Sequence, residues 1–263
     1  MTSIQCWQVD AFTNRAFGGN PAAVCWLEKE ADPAWMQAVA GEMNLSETAF
    51  VRRLQDGLEL RWFTPTIEVD LCGHATLATC HALWSAGLAP VDEPLRFQTK
   101  SGLLTCRKNG TFIELDFPAT PASEATAPPG LLDALGVTPI YVGRTKFDYL
   151  VVLDSPRAVL AVQPDYDKLG AVPCRGVIVS AKAADGEFDF VSRFFAPSIG
   201  VNEDPVCGSA HCCLTPYWAQ QLGKTQLKAH QISARGGVLR LQLQGDRVIL
   251  GGQAVTVWRG ELL

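Results

Sequence analysis

The stretch that decides the fold is Arg61-Trp62-Phe63-Thr64-Pro65-Thr66-Ile67-Glu68-Val69, because the chain writes it again as Arg193-Phe194-Phe195-Ala196-Pro197-Ser198-Ile199-Gly200-Val201. Five of the nine positions are identical, and Trp62/Phe194 and Thr66/Ser198 exchange like for like. The offset, from 61 to 193, is 132 residues, half of the 263-residue length. Each copy leads into a second match, Leu71-Cys72-Gly73-His74-Ala75 and Val206-Cys207-Gly208-Ser209-Ala210. The second copy carries three extra residues before its cysteine, around Glu203-Asp204-Pro205. Two matches in one order at half the length predict two equivalent halves, residues 1–118 and 119–263. They are joined at the Pro/Ala/Thr-rich stretch 118–130, which has the composition of a linker.

Working outward, each half places strands first. Residues 111–117 and 239–243 alternate apolar and polar, and 149–153 and 176–180 read as buried strands. After each Cys-Gly pair comes one helix, 73–85 running to Gly87 and 208–221 running to Gly223, each glycine suited to a C-cap. Ala75, Leu77, Ala78, Cys80, Ala82, Leu83 and Trp84 make the first helix apolar nearly all round, so it must be enclosed. The fold class expected is α+β, with two pseudo-symmetric domains, each a barrel-like, strand-rich sheet around a central helix. Pro216 lies inside the second helical pattern and predicts a kink or a later helix start.

Composition narrows the function. Hydrophobic residues are 48% and charged residues 19%, the net charge is −5, and no Lys/Arg run stands out. That balance excludes a nucleic-acid or anionic-membrane partner. No 18-residue apolar run is present, and Met1 to Asp10 lacks the apolar core of a leader. A cytoplasmic protein is expected. The nine cysteines are scattered, which fits a reducing compartment, and neither Cys nor His spacing suggests a metal site.

The candidate chemistry gathers at the two Cys-Gly pairs. A helix start offers unpaired backbone N–H groups and a partial positive charge, so two of them facing across a domain cleft would bind a carboxylate. The same field lowers a thiol pKa. Cys72 and Cys207 hold matching positions and could flank one carbon as the two bases of a racemase, or they are small packing residues. Asp70, Gly73 and His74 surround the first cysteine, and Asp204, Gly208 and Ser209 the second; these are the candidate substrate-binding groups. Glu47, in Asn44-Leu45-Ser46-Glu47-Thr48, reads as a partly buried carboxylate suited to acid/base work, against the commoner alternative of a solvated surface Glu. Phe17-Gly18-Gly19-Asn20-Pro21 is a tight turn, not a phosphate loop, so no nucleotide cofactor is implied.

These motifs together resemble the PhzF-like phenazine-biosynthesis family, a branch of the diaminopimelate epimerase fold. The likeness covers nearly the whole chain: Gln8-Val9-Asp10-Ala11-Phe12-Thr13, Gly19-Asn20-Pro21, Asn44-Leu45-Ser46-Glu47-Thr48, Phe63-Thr64-Pro65, Cys72-Gly73-His74-Ala75-Thr76 and Glu203-Asp204-Pro205. It implies a homodimeric isomerase without cofactor, with Glu47 as the acid/base and His74, Asp204 and Ser209 positioning a small carboxylate. Cys207 departs from the residue usual in that branch, while both cysteines are usual in the racemase branches. The alternatives left open are a two-thiol racemase or epimerase using Cys72 and Cys207, and a non-catalytic small-molecule binder on the same fold.

Overall fold

A computed structural model describes residues 3–184 and 186–263. Of the stretch Met1 to Asp10, residues 1 and 2 lie outside the described residues. The chain divides into two compact units, Met1–Phe117 with Gly251–Leu263, and Pro118–Leu250. The expected second half, 119–263, is thus corrected at its end. The last strand, Ala254–Leu262, pairs antiparallel with the first, Ile4–Ala11, across the register Ile4↔Leu262 to Ala11↔Ala254. Its Ala-Val-Thr-Val-Trp run carries no mark of which half it completes, so composition could not assign it.

The first unit is a sheet built on Ile4–Ala11, whose other neighbour, Asn20–Leu27, is antiparallel. Asn20–Leu27 pairs parallel with Glu47–Leu54, which pairs antiparallel with Gly57–Phe63. Gly57–Phe63 then takes Glu68–Val69 antiparallel and Leu95–Thr99 parallel, and Leu95–Thr99 pairs antiparallel with Gly102–Asn109. The helix Gly73–Ser85 lies against Ile4–Ala11, Asn20–Leu27, Glu47–Leu54 and Ala254–Leu262, and ten of its thirteen residues are buried, as its all-round apolar sequence requires.

The second unit repeats the grammar. Tyr141–Arg144 and Asp148–Val152 are antiparallel, Asp148–Val152 and Gly176–Lys182 parallel, and Gly176–Lys182 and Phe190–Ala196 antiparallel. Phe190–Ala196 takes Val201–Asp204 antiparallel and Gln226–Gln231 parallel, and Gln226–Gln231 pairs antiparallel with Gly237–Gln244. The order of antiparallel and parallel pairings matches the first unit step for step. The repeated arginines also do one job twice. Arg61 grips Glu68 with Nε and Nη2 at 2.8 and 2.9 Å, and Arg193 grips Glu203 at 2.7 and 2.9 Å. Each fork ties the strand of the repeat to the segment that leads into the helix.

Pro216 does not delay the second helix, which runs unbroken from Gly208 to Leu222. A proline at 216 removes the donor that Cys212 O would receive within the helix. Thr120 N supplies one instead, at 3.1 Å, so the carbonyl is not left bare. Among the described residues no helix is long and apolar enough to cross a membrane.

Candidate functional site

Glu47 is placed by a helix ending. The helix Pro33–Met43 starts on Asp32, whose Oδ1 accepts Ala34 N at 2.9 Å, and stops at Asn44 in the left-handed conformation, φ 50°. Asparagine tolerates that conformation better than most residues. The chain then turns into the strand Glu47–Leu54, and Glu47 pairs with Ala22 at the mouth of the parallel ladder. Its side chain is 19% exposed, neither solvated nor sealed. Just before the other strand of that ladder, Gly19 sits at φ 61° where a Cβ would stand 2.1 Å from Ala11 O, so the Gly-Gly-Asn-Pro motif is a tight turn into Asn20–Leu27.

Cys72 caps the Gly73–Ser85 helix in an extended conformation with no capping hydrogen bond from its side chain, and Cys207 does the same for Gly208–Leu222. Both helix starts therefore keep their first N–H groups free of side-chain caps. Both also bind the cysteine carbonyl from one turn on: Thr76 Oγ1 donates to Cys72 O at 2.5 Å, and His211 Nδ1 donates to Cys207 O at 2.7 Å.

In the first unit Glu47, Cys72 and His74 come together, with one carboxylate oxygen, the thiol sulfur and one ring nitrogen all within 4.8 Å of one another. His74 is buried. Its Nε2 lies 3.1 Å from Glu47 Oε2, close enough for an ion pair but too poorly aligned for a hydrogen bond; neither atom has another hydrogen-bond partner among the described residues. Its Nδ1 meets Asn20 Nδ2 at 3.2 Å and Cys72 Sγ at 3.5 Å. Ser46 Oγ donates to Asn20 Oδ1 at 3.4 Å, and with the amide so oriented Nδ2 donates to Nδ1. The neutral ring then carries its proton on Nε2, facing the Glu47 carboxylate.

Burial works against a charge on His74, while a Cys72 thiolate and the Glu47 carboxylate favour it, and the balance lies well above the usual imidazole value. Burial, reinforced by the Glu47 carboxylate, pushes the Cys72 thiol up. The expectation that the helix start lowers the thiol pKa is therefore corrected. At Cys72 and at Cys207, where Asp204 adds to burial and Arg175 and Ser209 oppose it, loss of water outweighs the helix start and the thiols move upward.

Asp70 is not part of the cluster; it is exposed, and its backbone carbonyl accepts Ser101 Oγ at 2.8 Å. Gly73 is the first residue of its helix and Gly208 of the other. In the second unit Asp204 Oδ1 accepts Val206 N at 3.2 Å, shaping the turn into Cys207, whose N–H donates to Gln231 Oε1 at 2.9 Å. Ser209 Oγ stands 3.3 Å from Cys207 Sγ and accepts Arg175 Nη2 at 3.0 Å.

Sequence reasoning missed Asn20 as the residue that orients His74, and it missed Arg175 entirely. Arg175 Nε donates to buried Asp148 Oδ1 at 2.9 Å, its Nη2 grips Asp148 Oδ2, and the guanidinium lies over Phe147 and Phe194 at 5.3 and 5.7 Å. The two residues meet because Asp148 and Gly176 are register partners on parallel strands, a contact that no spacing in the sequence announces. His211 was missed as well. Burial lowers its pKa to about 4, so it is a neutral clasp on the Cys207 carbonyl.

Glu47, Cys72 and His74 bring oxygen, sulfur and nitrogen donor types close together. Among the described residues they are the one cluster of that kind.

Comparison with known proteins agrees with this architecture. The chain is 55% identical, over 100% of both chains, to an uncharacterised isomerase of Halalkalibacterium halodurans. It matches the crystal structure of a PhzF-family phenazine biosynthesis protein from Enterococcus faecalis with a TM-score of 0.95 and 42% identity over 100% of both chains. A probable proline racemase from Agrobacterium radiobacter shares the fold at a TM-score of 0.66 and 13% identity, covering 99% of this chain and 93% of that one. The pattern of the phenazine biosynthesis-like proteins (PhzC-PhzF) runs from residue 9 to residue 260, and this chain belongs to that family.

Proposed function

We propose that the protein is a cofactor-independent isomerase that moves a proton on a small carboxylate, with Glu47 as the general acid/base. One observation carries the reading: a half-buried carboxylate held 3.1 Å from a buried imidazole that is itself held from behind by Asn20. The carboxylate takes a proton from a carbon acidified by a neighbouring carbonyl or carboxyl group, and returns it to the same or an adjacent carbon. Uncapped N–H groups at the start of Gly73–Ser85 stabilise the negative charge that develops on the substrate oxygen. His74 is a positioning residue, fixing the Glu47 carboxylate through Nε2. Asp204 and Ser209 complete substrate binding, and the active form is a cytoplasmic homodimer. Relatives named as isomerases support the reaction class.

The two-thiol alternative needs one of Cys72 and Cys207 as a thiolate. Burial opposes the thiolate at both positions, which ranks that reading second. A panel of small hydroxy- and amino-carboxylates incubated with the protein in D2O tests the proposal. Deuterium appearing at carbon in at least one compound is the expected result. Thermal stabilisation by members of the panel with no exchange in any of them would favour the binder instead.

A further inference from the structure

We infer that Cys6 and Cys25 form a redox-active dithiol pair, which a hydroperoxide oxidises to a disulfide that staples the first two strands of the sheet. The two residues stand directly opposite one another on the antiparallel strands Ile4–Ala11 and Asn20–Leu27, and both are free thiols. Opposed residues of an antiparallel pair have Cα atoms about 4.5 or 5.5 Å apart. Both values fall inside the range of about 4.4–6.8 Å that a disulfide spans. Opposed side chains leave the sheet on the same face, and the two sulfurs are already 3.2 Å apart. A bond of about 2.05 Å needs them to close by roughly 1.2 Å, which side-chain rotation supplies with the strand register kept.

The surroundings divide the roles. Both residues are buried in one apolar cluster with Met36, Phe50 and Phe63. The hydrogen bond with Cys25 holds the Cys6 thiol below its ordinary value; burial opposes this and the backbone of Leu262 assists it. The same bond, burial and a charge on Cys6 push the Cys25 thiol well above. Cys6 is therefore the attacking thiolate and Cys25 the resolving thiol. The way in is short, because half-buried Ile4, Ala31, Trp35 and Leu262 pack on the cluster and also line a surface cavity of about 750 Å³. In the first step the Cys6 thiolate attacks one peroxide oxygen. The O–O bond breaks, the departing oxygen takes up a proton, and Cys6 becomes a sulfenic acid. The Cys25 sulfur then attacks the Cys6 sulfur. The S–S bond forms, the S–O bond breaks, and the Cys25 proton leaves with the hydroxide as water. The two thiols supply the two electrons that reduce the peroxide.

Cys174 sharpens the test. It is only half-buried, yet burial and the Asp148 carboxylate push its thiol up to about 11. Exposure alone would oxidise Cys174 first, whereas the pair predicts the reverse order. The reduced full chain is treated with hydrogen peroxide, remaining thiols are alkylated in denaturant, and an unreduced digest is read by mass spectrometry. The expected product is a peptide linking Cys6 to Cys25, two hydrogens lighter than its separate parts, that appears before Cys174 is modified. The linked protein should also melt at a higher temperature than the reduced one, because the bond closes a loop in the unfolded chain. In Cys25→Ser, whose hydroxyl keeps a donor beside Cys6, oxidation should stop at a Cys6 sulfenic acid that dimedone traps, and the rise in midpoint should vanish. Should that variant fail to fold, the linked peptide of the native chain decides by itself. Cys6 and Cys25 both recovered as free thiols once Cys174 is oxidised, or a link from either to another cysteine, would overturn the pair. A linked protein that melts no higher than the reduced one would overturn the staple alone. None of these readouts depends on Glu47 as the base.

Discussion

Replacing His211 by asparagine should change the pH dependence of stability far more than the stability at neutral pH. His211 is wholly buried, its Nδ1 donates to Cys207 O at 2.7 Å, and its Nε2 lies 3.4 Å from Ser192 Oγ. An asparagine amide reaches the position of Nδ1 and keeps the first bond. Burial lowers the histidine pKa from 6.5 to about 4, so the folded protein refuses a proton that the unfolded chain accepts between those values. The unfolded state binds more protons there, and stability therefore rises with pH across the window. The contribution is fully present above about pH 6.5 and is lost as pH falls towards 4. A shift of about 2.5 units at about 1.4 kcal/mol each amounts to about 3 kcal/mol. Urea unfolding of wild type and His211→Asn at intervals from pH 4.5 to 7.5 gives the measurement. Wild type should lose stability relative to the variant by about 1.4 kcal/mol per pH unit near pH 5, on top of whatever the other groups do to both. A difference that stays flat across the range would refute the claim that His211 is held neutral by burial.

Three further outcomes follow from packing and pairing. Gly252→Ala should cost about 1–3 kcal/mol of stability in denaturant unfolding, because a Cβ there would stand 2.4 Å from Phe12 Cδ1 and 2.6 Å from Leu77 Cδ1. Asp148→Ala should lower stability towards the bottom of the range of about 3–5 kcal/mol typical of a broken buried pair, since the Arg175 side chain is one-third exposed and partly rescued by water. Gly19→Ala should lower the thermal midpoint, at a cost of at least about 1–3 kcal/mol, because both the positive φ and the contact with Ala11 O oppose a side chain.

What the sequence made legible is what repeats. The two Arg-x-Phe-x-Pro runs located both helix starts, and the alternation at 111–117 and 239–243 agrees with strands at Phe112–Pro118 and Gly237–Gln244. Glu47 was readable as a partly buried carboxylate because the strand-like run that follows it, Thr48 to Val51, is a local pattern, and it begins the strand Glu47–Leu54. The illegible part is long-range. Asn20 meets His74 across 54 residues and Asp148 meets Arg175 across 27, contacts made only when strands pair. The direction of the thiol shifts was read wrongly for a related reason. The helix start is a local feature visible in sequence, whereas the burial that outweighs it at Cys72 and Cys207 is a property of the whole packed unit.

Whether Glu47 is the base is decided by carbon–deuterium exchange in Glu47→Gln, Cys72→Ser and Cys207→Ser, measured side by side on one exchanging substrate. Glu47→Gln should lose about 100- to 10,000-fold in exchange rate, while each cysteine variant keeps a rate within about tenfold of wild type. Exchange that persists in Glu47→Gln and vanishes in the two cysteine variants would contradict the account and put the proton on the thiols.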